Sequence, residues 1–324
     1  MNPHALGLAL ARYDRGVDDA FRRWLRAALP PALRTVAVML PHRIGLARRR
    51  WQTWHDVFRS PVMRSLPGAV AEAFPLRPAA RLYGLGLAHV LLAFVVFIDD
   101  RLNDGQTSFA RDLYLVRRSM EVEAGARLTE LLGADARFWR SAERAFQQYA
   151  AAHAREPRLW TSATAYSHRR YARDAADKIA VAQLPALAVA RVGGASAAQV
   201  EQLRRAFDHC LIALQYLDDV NDWIDDFRAR RWTYFVRRHL HDQELRANPP
   251  PALASMHDRI ATASVTEEFL ARARQHLSAA SDLLATFSLP TLSAWVAERS
   301  AAIDRRLCAP QRAWRTALRR AWTS

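Results

Sequence analysis

Lysine is almost missing from this chain: of the 47 basic residues among 324, only Lys178 is not arginine. Cysteine is scarce too. Cys210 and Cys308 stand far apart with no metal-ligand spacing, which excludes a disulfide framework and a zinc site. Glycine occurs only 11 times and no alternating apolar–polar run appears, so a sheet has nothing to be built from. The opening residues lack a basic lead followed by an apolar core and cleavage site, and no signal peptide is expected. The longest apolar run, 85–98, is interrupted by His89, is short for a membrane span and leads straight into two aspartates. A soluble, cytoplasmic chain is expected. The net charge of +15 comes without any nucleic-acid motif, and the arginine and alanine skew runs through the whole sequence. No nucleic-acid partner is expected.

What the chain does have is helical periodicity. Apolar residues recur at helical spacing over 5–28, 69–73, 78–102, 108–132, 136–153, 161–192, 197–228, 233–241, 251–262, 265–287 and 291–307. Proline and glycine punctuate the gaps, and the stretch 29–68 has the weakest pattern. With no repeat and no shift in composition, the fold class is all-α: one helical bundle over 1–324 around a central cavity, with 1–65 and 309–324 at the periphery. Segments 85–98, 179–192 and 210–217 are apolar all round, which a helix tolerates only inside a bundle. Pro185 falls within one of them and should break its hydrogen-bond ladder, freeing a carbonyl toward the pocket or simply kinking the helix.

Carboxylates emerge from two of these buried helices. In the first cluster Asp100 and Asp104 share a face, with Asp99 beside them, and Phe97, Ala93 and His89 continue that face backwards. In the second, Gln215, Asp219, Asp222 and Asp226 form one stripe, flanked by Asp218 and Asp225. A lone Asp-Asp pair at a helix end is commonly a solvated terminus. Two clusters about 120 residues apart, each on an apolar helix, combine like-charge repulsion with costly desolvation. A hard divalent cation, Mg²⁺ or Mn²⁺ in its place, removes both penalties and is shared naturally between carboxylates and substrate phosphates. Candidate metal ligands are Asp99, Asp100, Asp104, Asp218, Asp219, Asp222 and Asp226. Facing each other across a cavity, they would hold a diphosphate and make it a good leaving group.

The segment from Tyr171 to Tyr234 resembles the second half of trans-isoprenyl diphosphate synthases: Lys178-Ile-Ala before a long apolar stretch, a Gly-Gly turn, then Gln-x-x-Asp-Asp-x-x-Asp from Gln215 to Asp222. Its continuation from Asp222 to Tyr234 is similar to squalene and phytoene synthases, with Asp-x-x-x-Asp followed by a basic residue and an aromatic. Asp100 to Asp104 fits the first such motif of those enzymes. The resemblance covers about half of the chain and implies the class I isoprenoid-synthase helical fold, a Mg²⁺-bound diphosphate and carbocation chemistry. Two features of chain-elongating synthases are missing: the N-terminal Gly-Lys-x-x-Arg-Pro-like segment and an Arg-Arg pair soon after the first cluster, since Arg117-Arg118 comes too late. The Asn-Asp-x-x-Ser-x-x-x-Glu motif of microbial terpene cyclases is missing as well.

Lys178, retained where other basic positions are arginine, suggests a need for a compact ammonium and is expected to bind the substrate diphosphate. Arg173, Arg230 and Arg231 are further candidates for phosphate contacts, each with a solvated arginine as the alternative. A carbocation needs a dry, aromatic-faced cavity, for which Phe94, Phe97, Tyr216 and Trp223 are candidates, although aromatics at helical spacing are commonly plain core. The residues expected to carry the chemistry are Asp100, Asp104, Asp219 and Lys178, with Gln215 in the binding set. The leading expectation is a terpene synthase, a cyclase or diphosphate lyase acting on one prenyl diphosphate. A prenyltransferase that couples or elongates prenyl diphosphates and a catalytically silent helical partner are the alternatives. The basic segment 311–322 is open to two readings, an amphipathic helix touching anionic lipid or a solvated tail, and a homodimer is compatible with all of these.

Overall fold

The longest apolar stretch of the sequence becomes the central helix. In the computed structural model, which describes residues 3–161 and 166–323 and the side chains of 7–156 and 166–308, every regular element is helical. The chain opens with α1 (Pro3–Ala28) and five short helices: α2 (Pro31–Val38), α3 (Leu40–Arg43), α4 (Trp54–Val57), α5 (Pro61–Arg64) and α6 (Leu66–Val70). Then come α7 (Ala79–Asn103), α8 (Arg111–Leu132), α9 (Ala136–Thr161), α10 (His168–Asp177), a 3₁₀ turn (Ala180–Gln183) and α11 (Leu184–Val192). The chain continues with α12 (Ala197–Arg228), α13 (Tyr234–Arg237), a second 3₁₀ turn (Glu244–Arg246), α14 (Leu253–Thr262), α15 (Val265–Leu284) and α16 (Pro290–Thr323).

Apolar burial sorts these helices into two cores that share α7. One is built by α11, α12, α15 and α16, with Phe207, Tyr216, Phe235 and Phe269 fully buried. The other joins α1 to α4 with α7 and α8 through Val17, Trp24, Leu40, Ile44, Phe58 and Phe94. Residues 13–58, expected at the periphery, thus supply half of a core. Each fully buried Leu or Phe contributes about 1.5–3 kcal/mol. By length and composition α7 could cross a membrane, but most of it is buried inside the protein. The start of α12 is set by a reciprocal cap: Ser196 Oγ accepts from the Gln199 N–H at 3.2 Å, and the Gln199 side chain accepts from the Ser196 N–H at 2.9 Å. Just before it, Gly194 turns with φ of +94°, and a Cβ on Gly193 would lie 2.8 Å from the Phe74 carbonyl oxygen.

Several expected boundaries move, for physical reasons. The segment 161–192 is not one helix: α9 runs on to Thr161, and α10, the 3₁₀ turn and α11 follow. Pro185 therefore lies in the first turn of α11, where its missing N–H costs nothing, so it starts a helix and breaks none. The pattern over 69–73 belongs to α6, one turn earlier, and that over 233–241 shrinks to α13. The featureless 29–68 stretch holds α2 to α6, four of which carry proline in the first turn and all of which are too short to show a period. Helix α16 continues through 311–322, but the side chains there, on which the lipid expectation rests, lie outside the described residues.

Candidate active site

The apolar body of α7 gives way in its last turn to Asp99 and Asp100, and Asp104 caps it. The three carboxylates have different fates. Asp99 turns toward α8 and α9: Arg117 donates Nε to Oδ1 at 2.6 Å and Nη2 to Oδ2 at 2.5 Å, and the Tyr149 hydroxyl also donates to it. Asp100 meets Lys178, which caps the end of α10, at an Nζ–Oδ1 distance of 2.6 Å. Burial opposes the ionisation of Asp100, yet the charge and hydrogen bond of Lys178 hold its carboxyl below the ordinary range. Asp104 has no such partner. Burial, then the neighbouring Asp100 charge, push it up to about 7.

A third acid joins them from α9. Glu156 Oε1 accepts from Lys178 Nζ at 2.8 Å, and burial raises its pKa. Asp100, Asp104 and Glu156 each present an oxygen within 4.8 Å of the others, the one such group of three among the described residues. Asp104 Oδ1 and Glu156 Oε2 are buried without hydrogen-bond partners.

The second cluster stands on α12. Asp219 is 4% exposed, accepts from Gln215 Nε2 at 2.9 Å on Oδ1 and leaves Oδ2 without a partner. Burial pushes its pKa up to about 8. Asp218 reaches solvent but is ringed by protein, and its pKa rises to about 6 through that burial and then through the charges of Asp222, Asp100 and Asp226. Asp222 is exposed and also raised, by desolvation and by Asp225. Asp226 accepts from Arg231 Nε at 3.1 Å and Nη2 at 2.8 Å, with burial still raising its pKa. Arg231, itself buried, lies 3.9 Å from Asp104 and so bridges the clusters.

Between Lys178 with Glu156 and Asp219 with Gln215 lies a cavity of about 60 Å³. Glu156, Lys178, Gln215 and Asp219 form one wall, and Tyr166, Tyr171, Trp232 and Tyr234 contribute the aromatic one. The aromatic rings pack at 5.1 Å between Tyr166 and Tyr234 and 5.3 Å between Tyr171 and Tyr234. A wider cleft of about 590 Å³ between α1, α7 and α8 contains neither acidic cluster, so chemistry and not size picks the site.

No family model matches the chain, and no curated protein matches it in sequence. Solved structures do. A decaprenyl diphosphate synthase from Rhodobacter capsulatus is 17% identical, with a TM-score of 0.72 over 93% of this chain and 98% of that one. A polyprenyl synthetase from Streptomyces coelicolor is 18% identical, with a TM-score of 0.69 over 93% and 99%. A polyprenyl synthase from Caulobacter crescentus, solved with calcium and isoprenyl diphosphate, is 16% identical, with a TM-score of 0.65 over 92% and 94%. The chain has the class I isoprenoid-synthase fold.

Within that fold the expected site residues separate into two groups. Asp100, Asp104, Lys178, Asp218, Asp219, Arg231 and Gln215 come together, with Asp222 and Asp226 at the edge. Asp99 is drawn away by Arg117. Arg173 is exposed on α10, and Arg230, with φ of +56° at the end of α12, is exposed and donates to Asn248 Oδ1 at 3.0 Å. Phe97 stacks on Phe58 at 5.5 Å, toward the N-terminal core and away from the cavity wall. Tyr216 is 1% exposed and shares a hydrogen bond with His168 Nδ1 at 2.9 Å, so it supports the aromatic wall from behind. His89 is a core histidine, its ring nitrogens at the carbonyls of Ala182 and Met63. Sequence reasoning missed Glu156 and the Tyr166, Tyr171 and Tyr234 rings. Both tyrosines that end the resembling segment were legible as landmarks, but nothing near Glu156 announces it. The orphaned oxygens and the shared lysine fit a divalent cation: hard oxygen donors are gathered, buried and short of positive charge.

Proposed function

We propose that this chain is a divalent-cation-dependent prenyltransferase that ionises an allylic prenyl diphosphate and joins the prenyl group to an acceptor alkene. The observation that carries the reading is the convergence of carboxylates from α7, α9 and α12 around Lys178, beside a cavity with an aromatic wall. Asp100, Asp104 and Glu156 on one side and Asp218, Asp219 and Asp222 on the other would hold Mg²⁺ or Mn²⁺, which when bound neutralises the diphosphate and makes it a good leaving group. Lys178 Nζ and the Arg231 guanidinium supply donors to the diphosphate oxygens, and Asp226 orients Arg231. The allylic C–O bond breaks with its electron pair leaving on the diphosphate. The rings of Tyr166, Tyr171 and Tyr234 then face the cation and keep water out. The π pair of the acceptor forms the new C–C bond, and the proton lost from the resulting cation passes to the released diphosphate. The names of structural neighbours, a decaprenyl diphosphate synthase and polyprenyl synthases among them, support transfer over the cyclase expectation.

One observation favours a second reading, a single-substrate terpene synthase. Arg117 and Arg118, the nearest arginine pair after the first cluster, are bound by Asp99 and Glu121, not set out for a second diphosphate. Incubation of the purified protein with prenyl diphosphates of several lengths, with and without isopentenyl diphosphate, separates the readings by mass spectrometry. A longer or doubled chain is the expected product. A hydrocarbon or alcohol from one substrate alone supports the terpene synthase, and no diphosphate release with any substrate overturns both.

A further inference from the structure

Three consecutive exposed arginines, Arg48, Arg49 and Arg50, lead into Trp51, which is 66% exposed. Arg49 lies over the indole, 5.5 Å from the ring centroid. The flanks of this run are pinned to the start of α8 and to the last turns of α7. On one side Arg43 pairs with Asp112 at 2.5 Å, tying α3 to the first turn of α8, which starts soon after Asp104. On the other side Phe58 stacks on Phe97, one turn before Arg101. The loop from α7 to α8 adds Phe109, 70% exposed, with its ring 6.0 Å from that of the exposed Tyr114. The acids nearby are already engaged: Asp112 holds Arg43, and Asp56 caps α4 through Thr53. None of Arg48, Arg49 and Arg50 has a carboxylate partner among the described residues.

Large apolar side chains exposed singly need no explanation. Trp, Phe and Tyr gathered with unpaired arginines on one rim are different, because aromatic rings sit at the headgroup level while guanidinium groups reach lipid phosphates. A protein partner for the same rim would have to bring both acids and an apolar socket; an anionic bilayer offers both everywhere.

We propose that this rim docks the protein on an anionic lipid surface, with Trp51 and Phe109 entering the headgroup layer and Arg48, Arg49 and Arg50 pairing with lipid phosphates. This stands independently of the prenyltransferase reading.

Co-sedimentation of the full-length protein with phosphatidylcholine vesicles, with and without a large share of phosphatidylglycerol, tests the proposal. Binding is expected only to the anionic vesicles and is expected to fade at high salt. Replacing all three arginines, Arg48→Gln, Arg49→Gln and Arg50→Gln, should weaken it roughly a hundred-fold, and Trp51→Ala several-fold, with melting midpoints unchanged because these side chains are exposed. Failure of the native protein to bind anionic vesicles overturns the proposal. Undiminished binding by the triple variant places membrane contact elsewhere and overturns it too, as does loss of a dimer in Trp51→Ala, which would make a second copy the occupant.

Discussion

The two acidic clusters look alike in sequence and differ in how the fold treats them. On α7 the protein supplies its own cations: Asp99 is held by Arg117 and Asp100 by Lys178, leaving Asp104 as the strained member. On α12 four carboxylates crowd one helix, with Gln215 on Asp219 and Arg231 on Asp226, and all four are pushed upward. Charge is partly balanced on the α7 side, where Asp104 and the Glu156 that shares Lys178 stay short of cations, and is wanting further on α12. That asymmetry marks where an incoming cation gains most.

Substitutions should expose the difference. Asp219→Asn and Lys178→Ala are expected to lower kcat/KM by about 10²–10³-fold, the scale of losing one aligned charge partner at a reacting centre, with stability kept in Asp219→Asn and lowered in Lys178→Ala, which takes the shared cation from Asp100 and Glu156. Asp99→Asn should do the reverse, costing about 1.5–3 kcal/mol of stability because Arg117 loses one of its two carboxylate partners and keeps only Glu121, while most activity survives. Steady-state kinetics beside thermal melts check both; equal activity losses at Asp99 and Asp219 would erase the contrast.

The asymmetry also has a pH signature. The folded protein holds Asp218 near pKa 6, Asp104 near 7 and Asp219 near 8, all above ordinary carboxylates. Between pH of about 4 and 8 the folded state therefore keeps protons that the unfolded chain has released. The contribution of these three carboxylates to the stability of the metal-free protein should fall across that range and level off above it, opposite in sign to that of His239 and His276, which burial holds down at about 4. Adding Mg²⁺ should raise the melting midpoint most at the alkaline end and release protons as it binds. A pH dependence of the melting midpoint from pH 5 to 8 without metal that is the same in the native protein and in an Asp104→Asn, Asp219→Asn double variant would contradict this.

The bundle, the two clusters and Lys178 could be read from spacing because each repeats a helical period or breaks a compositional rule. The rest could not. Glu156 sits beyond the last periodic residue of its helix and enters the site only because α9 runs on past His153. Tyr216 lies in the motif but points into the core, since one helical position separates a cavity wall from its backing. The rotation of Asp99 toward Arg117 depends on α8, which no local pattern specifies.

Smaller effects sharpen the picture. Glu156→Gln is expected to cost roughly ten-fold in kcat/KM and to weaken the metal dependence, because Lys178 keeps Asp100. Tyr216→Phe removes one buried hydrogen bond to His168, about 1 kcal/mol of stability, with turnover near native.

The most direct measurement is Mn²⁺ binding in the presence of inorganic diphosphate, followed by electron paramagnetic resonance for the native protein, Asp104→Asn, Asp219→Asn and the double variant. If both clusters serve one metal–diphosphate site, either single substitution removes most of the bound Mn²⁺ and the double variant is little worse than each. Losses that simply add, one share of Mn²⁺ per cluster, would mean two independent sites and no shared pocket.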